Sequence, residues 1–327
     1  MKTLVTGANG FIGSHLLDEM QQQERDVSIL LRTTSNTSFI EQHLNHVEVN
    51  FGSLSDPDSL QDALDGVDTV IHCAGKTKAV KAGTYYAVNG GGTQRLVEAV
   101  NDHSSTIKHF VLVSSVSAAG PGTAERPVRE DDIPHPVSHY GRSKLQGELA
   151  VRADCEVPWT ILRPAIVYGP RESDLYLLFK QVNRGFMPLI GGGAMQVSAV
   201  YVADLVEAIL RVTGKQEYNG RTYHVASPHS KTMEQFLETL ADVMEVDPWR
   251  IPVPLWALYP VCIAQELWAR VTSRPSMLNL QKIREYEAPG WVCSVDKIRE
   301  EVEFETATPL AEGIERTFHW YEENDWL

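Results

Sequence analysis

The chain is predicted to adopt an α/β fold: a doubly wound parallel sheet with a smaller mixed α/β C-terminal substrate lobe. Three observations carry this. Short apolar runs alternate with helical patterns through the first half, the signature of β-α-β units. The runs are continuously apolar, as strands buried on both faces must be. Beyond about residue 165 the alternation loosens, turn signals cluster, and only short strand-like pieces remain.

In order, the strand runs are Thr3-Leu4-Val5, Val27-Ser28-Ile29-Leu30-Leu31, Val47-Glu48-Val49, Thr69-Val70-Ile71, Phe110-Val111-Leu112-Val113 and Trp159-Thr160-Ile161-Leu162. Helical patterns occupy 11–22, 59–64 and 85–100, and a further helix carries Tyr140 and Lys144. Turns are expected at Tyr168-Gly169-Pro170 and Gly191-Gly192-Gly193. Helical patterns return at 202–212, 233–244, 254–270 and 309–323, with a short strand at 222–225. The expected division is 1–165 and 166–327, with some later strands and helices returning to the first part.

The 327 residues are 43% apolar, enough for a large core, and carry a formal net charge of −14. An acidic surface repels phosphate backbones and anionic lipid, so no nucleic-acid or membrane partner is expected. Cys73, Cys155, Cys262 and Cys293 lie far apart, without metal-ligand spacing. Reduced thiols, no metal site and a cytoplasmic location follow as expectations. No leader segment and no apolar run long enough to span a bilayer are read in the sequence.

Directly after the first strand comes Thr6-Gly7-Ala8-Asn9-Gly10-Phe11-Ile12-Gly13. Glycines at this spacing permit a tight turn and close approach of backbone to a phosphate. The helix starting near Phe11 presents unpaired N–H groups and a positive dipole end. This strand–glycine loop–helix context is that of a Rossmann dinucleotide-binding domain. The expected cofactor-binding residues here are Gly7, Asn9, Gly10, Phe11, Ile12 and Gly13. The second strand ends at Leu31-Arg32, followed by Thr33, Thr34 and Ser35, where an acidic residue would hold the ribose hydroxyls of NAD. A guanidinium suits a 2′-phosphate. NADP is therefore the expected cofactor, with NAD as the alternative and a solvated arginine as the bland reading.

Tyr140 and Lys144 are four residues apart and share a helix face. A neighbouring ammonium is expected to lower the phenol's pKa and fit it for acid–base work. Tyr176 and Lys180 repeat the spacing, so spacing alone does not choose. Ser114-Ser115 closes the fifth strand run, at the end of a parallel strand where ligands bind. A serine hydroxyl there can hold a substrate oxygen while Tyr140 supplies the proton, which favours Tyr140 over Tyr176.

Together these residues resemble the extended short-chain dehydrogenase/reductase family (the NAD-dependent epimerase/dehydratase superfamily), through almost the whole chain. Val70-Ile71-His72-Cys73-Ala74-Gly75, Asn89 with Gly92-Thr93, Leu162 to Pro170 and Val200-Tyr201-Val202-Ala203-Asp204 are similar to further motifs of that family. The resemblance implies a cofactor role for Ala74, Gly75, Ser114, Tyr140, Lys144, Pro164 and Val167, with backbone near Val167 meeting the nicotinamide amide. It implies Tyr140 as acid/base, Lys144 as holder of the nicotinamide ribose, and Ser115 as the hydroxyl polarising the substrate, with Ser114 as the adjacent alternative. After the third strand the family's Gly-Asp-Leu is replaced by Gly52-Ser53-Leu54, so Ser53 and Leu54 are expected near the adenine. Members commonly form dimers, so a homodimer is an expectation.

Nucleotide-sugar members usually offer an arginine where this chain has Gly193-Ala194-Met195-Gln196-Val197-Ser198-Ala199, which holds none. A pyrophosphate without a cation is poorly held. Leu255-Trp256-Ala257-Leu258-Tyr259, Val261-Cys262-Ile263-Ala264 and Trp268 make either a core helix or an apolar wall for substrate. With Ser114 to Pro121, these features look closest to the branch resembling 3β-hydroxysteroid dehydrogenases and dihydroflavonol reductases. The expected function is hydride transfer between nicotinamide and a ketone or secondary alcohol of an apolar or ring-containing small molecule. A nucleotide-sugar epimerase or dehydratase, and a non-catalytic cofactor-binding protein, remain as alternatives.

Overall fold

The computed structural model describes residues 1–272 and 279–327. Seven parallel strands form the main sheet: β1 (Thr3–Thr6), β2 (Val27–Leu31), β3 (Glu48–Phe51), β4 (Thr69–His72), β5 (His109–Val113), β6 (Trp159–Pro164) and β7 (Arg221–Val225). Their order is β7-β6-β5-β4-β1-β2-β3, every neighbouring pair parallel. The order reverses between β1 and β4, and this switch point opens a crevice beyond the strands' carboxyl ends.

Helices cover both faces. On one, α1 (Phe11–Gln22) and a helix at Val202–Val212 bury Leu16, Leu17, Met20, Leu205 and Ile209 against Val5, Ile29, Val111 and Leu162. On the other, α2 (Pro57–Leu64), α3 (Gly91–Asp102) and α4 (His139–Asp154) bury Leu60, Leu64, Leu96, Val100 and Val151 against Leu4, Val70, Phe110 and Ile161. Alternate residues of each strand feed alternate cores, which is why the strands read as unbroken apolar runs. The expected doubly wound architecture is therefore present.

The pattern at 85–100 does not form one helix. A turn at Ala82–Tyr85 and a π-type turn at Tyr86–Gly90 precede α3. Close packing explains the break. A Cβ on Gly90 would meet the Gln146 side chain at 2.5 Å, and one on Gly147 would meet Asn89 O at 2.6 Å. Asn89 also turns its amide to the β4 loop, accepting from Lys76 N at 2.7 Å and donating to Lys76 O at 3.0 Å.

After β6 the chain forms a smaller region with its own core of Tyr168, Phe179, Tyr201, Phe236, Leu240, Ile314 and Tyr321. The expected turn at Tyr168 starts one residue later, because Ile166–Tyr168 pairs as a strand with Ala199–Tyr201. Phe186–Ile190 and Trp249–Val253 form a two-stranded pair that the sequence pattern hides, since Pro188 and Pro252 interrupt both runs. Asp204 ties down the later chain, accepting from Thr308 Oγ1 at 3.0 Å and Thr308 N at 3.2 Å. All four cysteines are unpaired. Among the described residues, no group of three His, Cys, Asp or Glu side chains could hold a metal ion, and no helix is long and apolar enough to cross a membrane.

Candidate active site

The glycine loop lies at the carboxyl end of β1, beside the loop after β4. Gly7 has φ +75°, a conformation that suits glycine. A Cβ there would meet Ala74 N at 2.6 Å, and one on Gly13 would meet Gly7 O at 2.1 Å. Neither position has room for a side chain. Gly10 differs. It is exposed, caps α1 without any side-chain bond, and a Cβ on it would meet only Gly7 O, at 3.2 Å. The first N–H groups of α1 thus stand beside an open position at Gly10, a polarity that suits a pyrophosphate. Phe11 and Ile12 continue the cradle as the first helical residues, and Asn9 closes its rim by donating to Asn36 O at 2.9 Å.

Arg32 is exposed one residue beyond β2, and its backbone N–H donates to Ser35 Oγ at 3.2 Å. Among the described residues no carboxylate pairs with its guanidinium. Ser53 bonds Ser55 Oγ at 2.8 Å, and Leu54 packs where a Cβ on Gly92 would lie, at 3.1 Å from Leu54 Cδ1. Ala74 N meets Thr6 Oγ1 at 3.4 Å. Gly75 lies over the lysine, since a Cβ on it would sit 3.8 Å from Lys144 Nζ and 3.2 Å from Asn89 Oδ1.

On the other side of the switch point, Ser138 caps α4 by accepting from Gly141 N at 3.1 Å. Gly141 lets this first turn press onto the next segment, because a Cβ there would lie 2.2 Å from Ser117 O. That contact sets Tyr140 beside Ser115, whose hydroxyl acts on the phenol. Ser115 Oγ also accepts from Ser117 N at 3.1 Å, which fixes its rotamer. The Tyr85 ring stands 6.4 Å from that of Tyr140. Pro164 ends β6, and Val167 follows it, half-buried, at the same edge.

Two expectations need correcting. Lys144 does not lower the Tyr140 pKa. Burial pushes the phenol up to about 12, opposed by the Ser115 hydrogen bond, and the charges that act on it are Glu285 and Lys282. The Lys144 ammonium points beneath the tyrosine, donating to Val113 O at 2.7 Å, and burial lowers it to about 8. Nor does the Ser114 hydroxyl face the cleft: it donates to Glu148 Oε1 at 2.5 Å, inside the protein. Only Ser115 of the serine pair meets the tyrosine.

Tyr176 and Lys180 are in contact, at 3.1 Å, but belong to the C-terminal aromatic cluster with Tyr321 and Trp326. Residues that sequence reasoning passed over include Glu148, Arg163, Tyr85 and the Lys78–Asp174 ion pair. Arg163 left one signal, a charged residue closing an otherwise apolar strand run.

The apolar stretch near residue 260 is one helix, Leu255–Thr272, and it is neither wholly core nor wholly wall. Leu258 and Cys262 pack inward on Ile283, while Trp256, Tyr259, Ile263 and Leu267 face outward along one stripe. It packs on the helix Leu280–Tyr286, whose Lys282 and Glu285 charges reach Tyr140.

Comparison with known proteins agrees with this fold. The model of the NAD dependent epimerase/dehydratase family matches residues 3–226. The ceramide reductase of Caulobacter vibrioides is 27% identical over 99% of this chain and 95% of its own. The N-acetyl-alpha-D-glucosaminyl-diphospho-ditrans,octacis-undecaprenol 4-epimerase of Escherichia coli O157:H7 is 25% identical over 97% of this chain and 94% of its own. Among solved structures, dTDP-glucose 4,6-dehydratase from Bacillus anthracis in complex with NAD superposes with a TM-score of 0.80, covering 100% of this chain and 98% of its own at 21% identity.

Proposed function

Because the chain belongs to the NAD dependent epimerase/dehydratase family, we propose that it is a nicotinamide-dependent dehydrogenase/reductase. It interconverts a ketone and a secondary alcohol on an apolar or ring-containing small molecule. The observation that carries this reading is the Ser115 hydroxyl set beside the Tyr140 phenol at the edge of the sheet that also holds the glycine cradle.

In this reading residues 1–165 hold the cofactor and 166–327 the substrate. Gly7, Asn9, Gly10, Phe11, Ile12 and Gly13 surround the pyrophosphate, and Ser53 and Leu54 border the adenine. Arg32, free of carboxylate partners among the described residues, binds a 2′-phosphate, which favours NADP over NAD. Ala74, Gly75 and Lys144 lie along the nicotinamide ribose, and Pro164 and Val167 beside the amide. When bound, the cofactor supplies or accepts the hydride. The chain supplies the rest. Ser115 Oγ holds the substrate oxygen, and the Tyr140 hydroxyl delivers the proton to it. A phenol held at about 12 is fully protonated at neutral pH, the form that a reduction requires.

Two of the cations near the site are already paired. Lys78 is paired with Asp174 and Lys282 with Glu285, while residues 193–199 offer none. The outward apolar stripe of the helix Leu255–Thr272 suits an apolar molecule, as does the relative named a ceramide reductase. One observation favours the epimerase or dehydratase reading instead, namely that relatives and neighbours bear those names. The two readings differ in cofactor accounting. Net loss of NADPH absorbance with a panel of apolar ketones supports the reductase. Turnover of a UDP- or GDP-sugar by a co-purified cofactor, without net consumption, overturns it.

A further inference from the structure

One turn beyond Lys144, α4 carries a carboxylate sealed from water. Glu148 is fully buried, and so is its partner Arg163, which is 1% exposed at the end of β6. Glu148 Oε2 accepts from Arg163 Nη2 at 2.6 Å. Its Oε1 accepts from Arg163 Nε at 2.9 Å and from Ser114 Oγ at 2.5 Å. A buried ion pair adds little stability over a well-packed apolar pair, so stability alone does not account for this one. Its position does. Glu148 shares the helix of Lys144, and Ser114 is covalently joined to Ser115.

We propose that Glu148, clamped by Arg163 and Ser114, is a positioning residue: it keeps the Lys144 ammonium charged under the cofactor cradle and anchors the Ser114–Ser115 strand end against Tyr140. The titratable and charged groups facing Lys144 are Glu148 on its own helix, and His72 and Cys73 at the end of β4, with Arg163 behind Glu148. His72 is neutral, lowered to about 3 by burial, and the Cys73 thiol is raised to about 12 by burial. Glu148 is therefore the only full negative charge among them. Burial lowers Lys144 to about 8, and Glu148 is the strongest influence opposing that fall. The place of Lys144 under a cofactor rests on the dehydrogenase reading, but its charge state does not.

The test reads that charge directly, without a substrate. The full chain is labelled with lysine carrying carbon-13 at Cε, and the Lys144 resonance is assigned by its loss in Lys144→Met. The wild-type titration midpoint is expected near 8. In Glu148→Gln the midpoint should fall by about one unit or more. That variant leaves the Arg163 cation buried and unpaired, and its folding is at risk. The double variant Glu148→Met with Arg163→Met removes the whole pair in favour of apolar groups, a change that buried pairs commonly tolerate. It should fold and show a smaller downward shift, because the Arg163 cation leaves with the carboxylate. An unchanged midpoint in either folded variant overturns the proposal. Absence of activity on every ketone would overturn the proposed function and leave this result standing.

Discussion

Lys144 follows Tyr140 by one helical turn, yet its ammonium donates to Val113 O at 2.7 Å and not to the phenol. The phenol stands beside the Ser115 hydroxyl, which acts to lower its pKa. This division separates two tasks that the spacing alone would merge. Lys144 is bound to the end of β5 and faces the space under Gly75, whereas Tyr140 and Ser115 face whatever lies beyond the sheet's edge. Tyr140 is thereby kept protonated, as a donor. Its activation must come from the Ser115 contact and from charge developing on the substrate oxygen.

Tyr140→Phe removes the donor with little change in volume. Turnover in the reductive direction should fall by about 10²–10⁴-fold, the usual worth of a positioned acid. NADPH affinity, measured by fluorescence titration, should stay at the wild-type value, because the cradle lies on other residues. Full activity in this variant would remove Tyr140 from the chemistry.

Gly13→Ala and Gly10→Ala separate packing from binding. A Cβ on Gly13 would stand 2.1 Å from Gly7 O, so backbone must move. The expected loss is about 1–3 kcal/mol of stability, the range for overpacking, together with cofactor affinity. On Gly10 the new methyl meets only Gly7 O at 3.2 Å and otherwise faces outward. Denaturant midpoints should hardly move in Gly10→Ala, while cofactor binding weakens because the methyl occupies the space of the pyrophosphate. If Gly10→Ala binds NADPH as tightly as the wild type, the loop is not the phosphate cradle.

Much of this organisation is legible in the sequence, for physical reasons. Strands buried on both faces must be apolar throughout, so β1, β2, β4, β5 and β6 announce themselves. Gly7 and Gly13 are readable because backbone contacts exclude every other residue. What stayed hidden depends on partners far along the chain. Phe186–Ile190 and Trp249–Val253 exist only as a pair and contain prolines. The break before α3 comes from contact with Gln146 and Gly147, which no local pattern encodes. The direction of the Lys144 side chain, and the turning of Ser114 toward Glu148, are equally non-local. Periodicity places a residue on a face, but the neighbours decide what it touches.

Arg32→Ala tests cofactor choice. If its guanidinium binds the 2′-phosphate, NADPH binding should weaken by about 1–3 kcal/mol, the range for truncating a charge-assisted hydrogen bond. NADH binding should be unaffected. The comparison is two titrations on each protein, and equal losses for both cofactors would reject the assignment. The loss should shrink at high salt, since Arg32 is exposed and its field is screened.

His72 gives the fold a specific acid sensitivity. Its ring is fully buried, with Nδ1 2.6 Å from Thr6 Oγ1 and Nε2 3.0 Å from Thr93 Oγ1. Burial lowers its pKa from the ordinary 6.5 to about 3. The unfolded chain therefore takes up a proton below pH 6.5 that the folded chain refuses until about pH 3. Stability from this group is complete above pH 6.5 and is lost as pH falls toward 3, by about 2 kcal/mol between pH 7 and pH 5. Glu172, raised to about 7 by burial, acts with the opposite sign, so total stability does not isolate the histidine. His72→Asn does, because it keeps hydrogen-bonding groups near both threonines and cannot titrate. Urea unfolding at pH 7 and pH 5 should show a loss smaller by about 2 kcal/mol in the variant than in the wild type. Equal losses in the two proteins would mean that His72 is not held neutral.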